Sequence, residues 1–423
     1  MQEPTPKHWD IVIVGGGAAG LASAIFAAER ALKLGTSPRI AVVDGARKLG
    51  AKILVSGGGR CNVTHEQLTD ADYFGSTNII RRILRSFDHR QAARWFEDLG
   101  VPLKTEPTGK LFPRSNSARS VLGALLDRCD QLGVHLLTQH RIGCITATPK
   151  GPFLLQTAGS PLQASTVVLA TGGKSLPKSG SDGKGLLLAK ALGHSVVKPL
   201  PALVPLVLKE SFFHPALSGI AHPAELSVWV QNKQVEKRSG DMLWTHFGLS
   251  GPLAMDISRT WVRHHDAGRE PGLTLNLLQD SFERVEGWLV EANQSQPNRS
   301  LGRLLAERLP KGAVAGLLEH LQICPEVTMG SLRKKDRKTL VHGLTRLPLP
   351  VHGHRGWNHA EVTSGGVPLE ECDPKTLESR HTPNLFLVGE ILDCDGRIGG
   401  FNFQWAWSTG YLAGRAAAQS LTS

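Results

Sequence analysis

The sequence predicts an α/β chain in which a parallel-sheet domain is interrupted by a β-rich segment that carries helices. Three observations predict it. The run Ile11–Ala28, IVIVGGGAAGLASAIFAA, reads as a buried strand, a glycine turn and a small-residue helix. The stretch Asn384–Ala417 repeats the order strand, glycines, helix near the other end of the chain. Between them the composition shifts at Val197, where KPLPALVPLVL is Pro-punctuated and β-like segments follow.

In the first unit, Ile11–Val14 is apolar throughout, as a strand covered on both faces must be. Gly15, Gly17 and Gly20 then fit GxGxxG. Gly15 makes the tight turn, Gly17 lets a pyrophosphate approach the backbone, and Gly20 lets helix and strand pack closely. The next strand, Arg39–Val43, closes with Asp44, a carboxylate about twenty residues on that suits ribose hydroxyls. An ordinary glycine-rich βα turn would need only the glycines. Strand, helix and acid together point to a dinucleotide, with the helix N-terminus facing its phosphates.

The segment Gly50–Thr64, GAKILVSGGGRCNVT, breaks the sheet pattern. Gly57, Gly58 and Gly59 cannot pack a core but let backbone lie against a flat or charged ligand. Lys52 before them and Arg60 and Asn62 after them argue against a plain surface loop. Helical periodicity runs from about Asn78 to Leu99 and from Ala118 to Leu132, with a turn-rich hairpin or loop, KTEPTGKLFPRS, between. From Gly133 the pattern is that of an antiparallel meander returning to a buried strand, Thr166–Ala170, which ends in Thr171, Gly172 and Gly173. Ile142 is placed for its backbone to meet an adenine edge. A second glycine-rich turn, Ser179–His194, leads into a short helix.

Residues 1–196 are therefore the first part of the nucleotide-binding domain and 197–355 an inserted substrate or cap domain. In the insert, Leu226–Val230 and Leu273–Leu277 are β-like, THFGLSGP (Thr245–Pro252) is a loop entering a helix, and helical runs cover roughly Phe282–Leu318. Residues 356–423 resume the first domain. There Leu385–Val388 is a buried strand ending in Gly389 and Glu390. Gly399 and Gly400 precede a helix from about Asn402, whose positive end can face a second part of the ligand, such as a flavin ring edge. Trp405 and Trp407 are assigned to the core.

Composition excludes several classes. No run is a membrane span, since glycines at a phosphate-binding spacing interrupt the most apolar stretch. The mostly polar residues ahead of Ile11 predict no targeting segment. Six cysteines show no CxxC pairing and no zinc spacing, which suits a reducing cytoplasm. No metal is expected; His352, His354 and His359 read as a polar loop. The net charge of +11, from 48 basic and 37 acidic residues, leaves a choice between solvated surface and an anionic partner, above all RNA. Two clusters stand out: Arg81, Arg82 and Arg85, and the run Arg333–Lys338 with its five cations.

Five stretches together carry a resemblance: GGGAAG, SGGGRCN, LATGGKSLPKSGSDGKG, THFGLSGP and GEILDCDGRIGGFNFQWAWSTG. They resemble the BaiN/YhiN-type FAD-dependent oxidoreductases over nearly the whole chain. The resemblance implies a Rossmann-like FAD-binding domain interrupted by a β-rich domain with a helical insertion. It also implies an NAD(P)H-driven reductase of carbon–carbon double bonds, the substrates being uridine in ribosomal RNA or steroid dienones. Carried over by motif, Gly15, Gly17, Ala18, Ala19 and Gly20 cradle the FAD pyrophosphate and Asp44 holds the adenosine ribose. Lys52, Ser56, Gly57, Arg60, Cys61 and Asn62 line the flavin side. Thr171 and Gly172 pass near the pyrophosphate; Glu390, Asp395, Gly399, Gly400, Phe401 and Asn402 surround ribityl and ring. Cys61 and Asp395 are the candidates for a catalytic acid. Two departures are present. Asp44 stands where the family has Glu, and Lys110 in Gly109–Pro113 replaces an Arg, keeping charge but losing a bidentate guanidinium. A flavin-binding, RNA-associated factor without turnover is the alternative to an enzyme.

Overall fold

The structure, a computed structural model, describes residues 7–148 and 151–422. The residues ahead of Lys7, read above as lacking a targeting signal, lie outside this range. The chain divides into two compact units, residues 1–200 with 362–423, and residues 201–361.

The first unit is built on five parallel strands in the order His135–Leu137, Ile40–Val43, Lys7–Val14, Leu162–Leu169, Leu385–Leu387. Ile11–Val14 and Ile40–Val43 are buried throughout, which explains why both read as unbroken apolar runs. The strand from Lys7 enters helix Ala18–Lys33 through the glycine turn. That helix packs against the last one, Phe401–Ser420, and the crossing is close because the contacting residues are small. A Cβ on Gly414 would lie 2.3 Å from the Ser23 carbonyl oxygen, and one on Gly410 would lie 2.8 Å from Ala22 Cβ. The tryptophans of the last helix are core residues. Trp405 donates its indole N–H to the Gly389 carbonyl at 3.1 Å, and Trp407 to that of Val63 at 2.9 Å.

Several elements differ from expectation. His135–Leu137 is not the first strand of a meander; it pairs in parallel with Ile40–Val43. The antiparallel part is confined to Ile142–Thr146, Phe153–Thr157 and the start of Leu162–Leu169. The long helical region splits into Thr77–Ser86 and His89–Asp98. Asp88 and Gln91 form a reciprocal capping box there, a stronger start signal than the continuing periodicity. The expected hairpin is present as Leu103–Thr105 against Lys110–Pro113.

The second unit is a seven-stranded antiparallel sheet in the order Leu347–Leu349, Gly272–Asn276, Ala221–Val230, Lys233–Thr245, Gly248–Ser250, Leu206–Leu208, Val351–His354. THFGLSGP enters helix Gly251–Asp266 as expected, through a tight hairpin. The helical runs expected over Phe282–Leu318 are three helices, Phe282–Ser295, Leu301–Leu305 and Lys311–His320, with Lys334–Thr345 beyond them. Among the described residues no helix is long and apolar enough to cross a membrane. All six cysteines are free.

Candidate nucleotide-binding site

The first glycine turn has two positions closed by backbone and one left open. A Cβ on Gly15, where φ is +113°, would lie 2.4 Å from the Ala170 carbonyl oxygen, and one on Gly20 would lie 1.9 Å from that of Gly15. Nothing approaches within 4 Å of a Cβ on Gly17. Gly17 caps helix Ala18–Lys33 with no side-chain hydrogen bond, and the first turn holds no acidic residue. The first-turn N–H groups, those of Ala18 and Ala19 among them, therefore face an open, positively polarised spot. Asp44 stands beside it. One carboxylate oxygen accepts from the Gly16 N–H at 2.8 Å and the other from that of Ala46 at 2.7 Å, which fixes the carboxylate at the end of its strand.

Thr171 and Gly172 follow the neighbouring strand. The Thr171 side chain packs under helix Lys184–Ala191, where a Cβ on Gly185 would strike its hydroxyl at 1.7 Å. Ile142 is buried and lines a cleft of about 530 Å³ together with Arg141, Gly143 and Lys184.

At the other end, motifs more than 300 residues apart in sequence meet. Gly57, Gly58 and Gly59 have φ of +55°, +68° and +84°, so the SGGG loop curls in a way that suits only glycine. It delivers Asn62 beside Gly400. A Cβ on Gly400 would lie 2.9 Å from Asn62 Oδ1 and 2.6 Å from the Thr64 carbonyl oxygen. Asn62 is 8% exposed, and its Oδ1 has no hydrogen-bond partner among the described residues. A buried acceptor left unpaired costs about 1–3 kcal/mol. Gly399 and Gly400, with φ of +131° and +96°, start helix Phe401–Ser420 at the same spot.

The remaining predicted ligands also make contacts within the chain. Lys52 and Glu390 form an ion pair and share Ser175: Lys52 Nζ donates to its hydroxyl at 2.6 Å, and that hydroxyl donates to Glu390 at 2.7 Å. The Thr363 N–H also donates to Glu390, at 2.9 Å. This knot has no signature in the sequence, since Ser175 and Thr363 carry no local signal. Ser56 donates to the Ile53 carbonyl and closes its own short helix. Arg60 pairs with Glu106 at 2.6 Å, its guanidinium 4.0 Å from the centre of the Phe112 ring. Phe401 is buried and stacked on His65 at 4.9 Å, and Asn402 spends its amide on Gly396, giving and taking one bond at 2.9 and 2.8 Å. Through these contacts Phe401 and Asn402 hold the Gly396–Gly400 loop.

Neither acid candidate has an open path. Cys61 is 0% exposed, and burial pushes its thiol up to about 12 despite a hydrogen bond with Ser56. Asp395 is 1% exposed and sits in a two-residue strand paired with Tyr73–Phe74. A general acid must come within hydrogen-bond reach of the atom it protonates, and in this structure both side chains are buried.

The family model described as HI0933-like protein Rossmann domain matches residues 9–416. The chain belongs to the HI0933-like family. It is a flavoprotein oxidoreductase of the FAD-binding Rossmann type. A Clostridium scindens relative, named 3-dehydro-bile acid delta(4,6)-reductase, is 33% identical over 97% of this chain and 99% of its own length. An Escherichia coli protein named ribosomal RNA dihydrouridine synthase is 32% identical over 98% of both chains. Among solved structures, the 3-ketosteroid delta1-dehydrogenase of Sterolibacterium denitrificans aligns with a TM-score of 0.52 at 13% identity. It covers 98% of this chain and all of its own, a likeness of fold.

Proposed function

We propose that this HI0933-like flavoprotein binds FAD along the glycine turn and the Asn62–Gly400 junction and uses NAD(P)H to reduce a carbon–carbon double bond, its substrate a uridine in ribosomal RNA. The Asn62 carbonyl carries the cofactor reading, because it is a buried acceptor with no donor among the described residues. The open Gly17 position and the helix end behind it suit the pyrophosphate, with Ala18 and Ala19 supplying N–H groups. Asp44 keeps lone pairs for ribose hydroxyls. The start of helix Phe401–Ser420 presents a second positive end toward the ring side, where Arg60 also lies. Lys52, Glu390, Ser175 and Thr363 hold these segments in register. When bound, FAD supplies hydride transfer; the chain binds, orients and tunes it.

The reaction class rests on the two relatives, whose names both describe reduction of a double bond. The RNA reading rests on the charge of +11 and on exposed cations. Arg82, Arg85, Lys334, Lys335 and Lys338 are exposed and make no ion pair within the described residues. Two other members of those clusters are less accessible to a partner. Arg81 forms a two-pronged pair with Asp70 at 2.8 and 3.1 Å, and Arg337 is half-buried. A base stacked in a helix cannot reach a buried ring, so the target uridine is single-stranded or flipped out.

Mass-spectrometric nucleoside mapping of ribosomal RNA from cells with and without this protein tests the reading. One dihydrouridine should disappear in the deletion and return with the wild-type gene. An unchanged map, with NAD(P)H consumed on a small enone, moves the assignment to the small-molecule reductase that the 33% identical relative favours. Flavin content without NAD(P)H turnover on either substrate would leave a binding factor.

A further inference from the structure

Outside the nucleotide site, the first unit brings together His194, Glu371 and His381. Glu371 Oε2 lies 2.8 Å from His194 Nδ1 and 3.3 Å from His381 Nε2, and all three ligating atoms lie within 4.8 Å of one another. We propose that these residues form a binding site for a zinc-class divalent ion that clips the end of helix Lys184–Ala191 to the loop 371–382. Zinc bound tetrahedrally at 2.0–2.2 Å holds its ligand atoms about 3.3 Å apart. The Glu371–His381 separation already has that value, and the Glu371–His194 separation opens to it by about half an ångström. Two imidazoles and one carboxylate are a zinc-type donor set and leave the fourth position to water.

The surroundings are those of a held ligand set. The other Glu371 oxygen accepts from the Ser195 hydroxyl, and the Ser195 N–H straddles the carboxylate, 3.1 Å from Oε2 and 3.3 Å from Oε1, which fixes the carboxylate with Oε2 on the side of the two rings. That is the kind of outer partner that orients a ligating carboxylate. Thr382 Oγ1 donates to the Leu192 carbonyl at 2.9 Å, tying the same loop to the same helix end. His194 has a fully buried side chain and Glu371 is mostly shielded, whereas His381 is 43% exposed and leaves the site open for entry. Burial holds the His194 imidazole below its usual range, so it is neutral at pH 7. At Glu371, burial opposes the charge, but hydrogen bonds from Ser195 and His194 outweigh it and keep the carboxyl below its usual range. Both are in ligating form. When the ion binds His194 Nδ1, the proton that this nitrogen shares with Glu371 moves to Nε2 of the same ring, which stays neutral.

The test uses the full-length, FAD-loaded protein stripped with chelator. Equilibrium dialysis against zinc chloride should find one strong site, and zinc should raise the unfolding midpoint where magnesium does not. His381→Ala should weaken that site about tenfold or more, with flavin content unchanged because His381 is half-exposed and lies outside the nucleotide site. Cobalt(II) added to the wild-type protein should give the intense visible bands of a four-coordinate ion, a readout independent of any variant. Absence of a strong zinc site in the wild type, or zinc binding equally strong in His381→Ala, overturns the proposal and leaves the three residues as a hydrogen-bonded clamp.

Discussion

At Gly17 and Gly20 one residue type serves opposite needs. Gly20→Ala forces a Cβ onto the Gly15 carbonyl at 1.9 Å, and overpacking of this kind costs about 1–3 kcal/mol or more. Gly17→Ala meets nothing within 4 Å. Thermal unfolding of the apoprotein should therefore separate them: Gly20→Ala unfolds earlier, while Gly17→Ala unfolds like wild type and fails only in FAD retention. Equal effects of both on the apoprotein would show that Gly17 is also a packing glycine. Asn62 extends the same logic to the ring side. Asn62→Ala removes an acceptor with no partner among the described residues, so it should not lower apoprotein stability and should weaken FAD binding about tenfold. Arg60→Ala breaks a partly exposed pair worth less than about 1 kcal/mol to the fold, so a fall in flavin content or in flavin reduction rate would report a contact with the cofactor. Unchanged flavin binding and kinetics in both variants would return this loop to a surface role.

At the scale of elements, the helix Phe401–Ser420 joins the site to the core. Its first turn meets Asn62, its tryptophans donate to Gly389 and Val63, and its small face meets helix Ala18–Lys33. The motif Gly410-x-x-x-Gly414 is a readable sign of that close crossing. Gly414→Ala places a methyl 2.3 Å from the Ser23 carbonyl oxygen; it should lower apoprotein stability by about 1–3 kcal/mol in urea unfolding, and no fall would mean that the helices slide apart at little cost. Parallel strands, glycine turns and the interrupting sheet are legible in the sequence because burial on two faces, left-handed backbone and proline punctuation each leave a local pattern. Three features are hidden. His135–Leu137 has the same alternation whichever strand it pairs with. The Ser175–Thr363–Glu390 knot joins residues with no spacing rule. The bonds between Asn402 and Gly396 sit inside a ligand motif, and a motif records position without recording which way a side chain turns.

For the whole molecule, pH and salt act on different groups. His194 and His214 are buried, and burial holds both imidazoles below the usual histidine range. Between those depressed values and about 6.5 the unfolded chain binds more protons than the folded one. Stability is then fully present above about pH 6.5 and is lost as pH falls through that window, by at most about 1.4 kcal/mol per pH unit for each group. Unfolding midpoints measured from pH 7.5 down to 5.5 should fall; a flat profile would mean that the two rings gain compensating partners when charged. Salt reports instead on the proposed RNA partner. Lys334, Lys335 and Lys338 are exposed on and around one short helix turn of the second unit, whereas the glycine turns belong to the first. Replacing the three lysines by Gln should leave FAD content unchanged. It should also lower RNA affinity and flatten its salt dependence, by roughly one unit of log–log slope for each phosphate that is no longer neutralised. The fall in affinity should be similar for different RNA sequences, since phosphate-bound lysines position a strand without reading it. Reduction of a small enone should ignore both the lysines and the salt. Titrating ribosomal RNA fragments against wild type and variant at several salt concentrations decides between these outcomes: matching affinities and slopes would remove this run from any RNA-binding face, and with it the strongest charge-based reason for preferring RNA over a small enone.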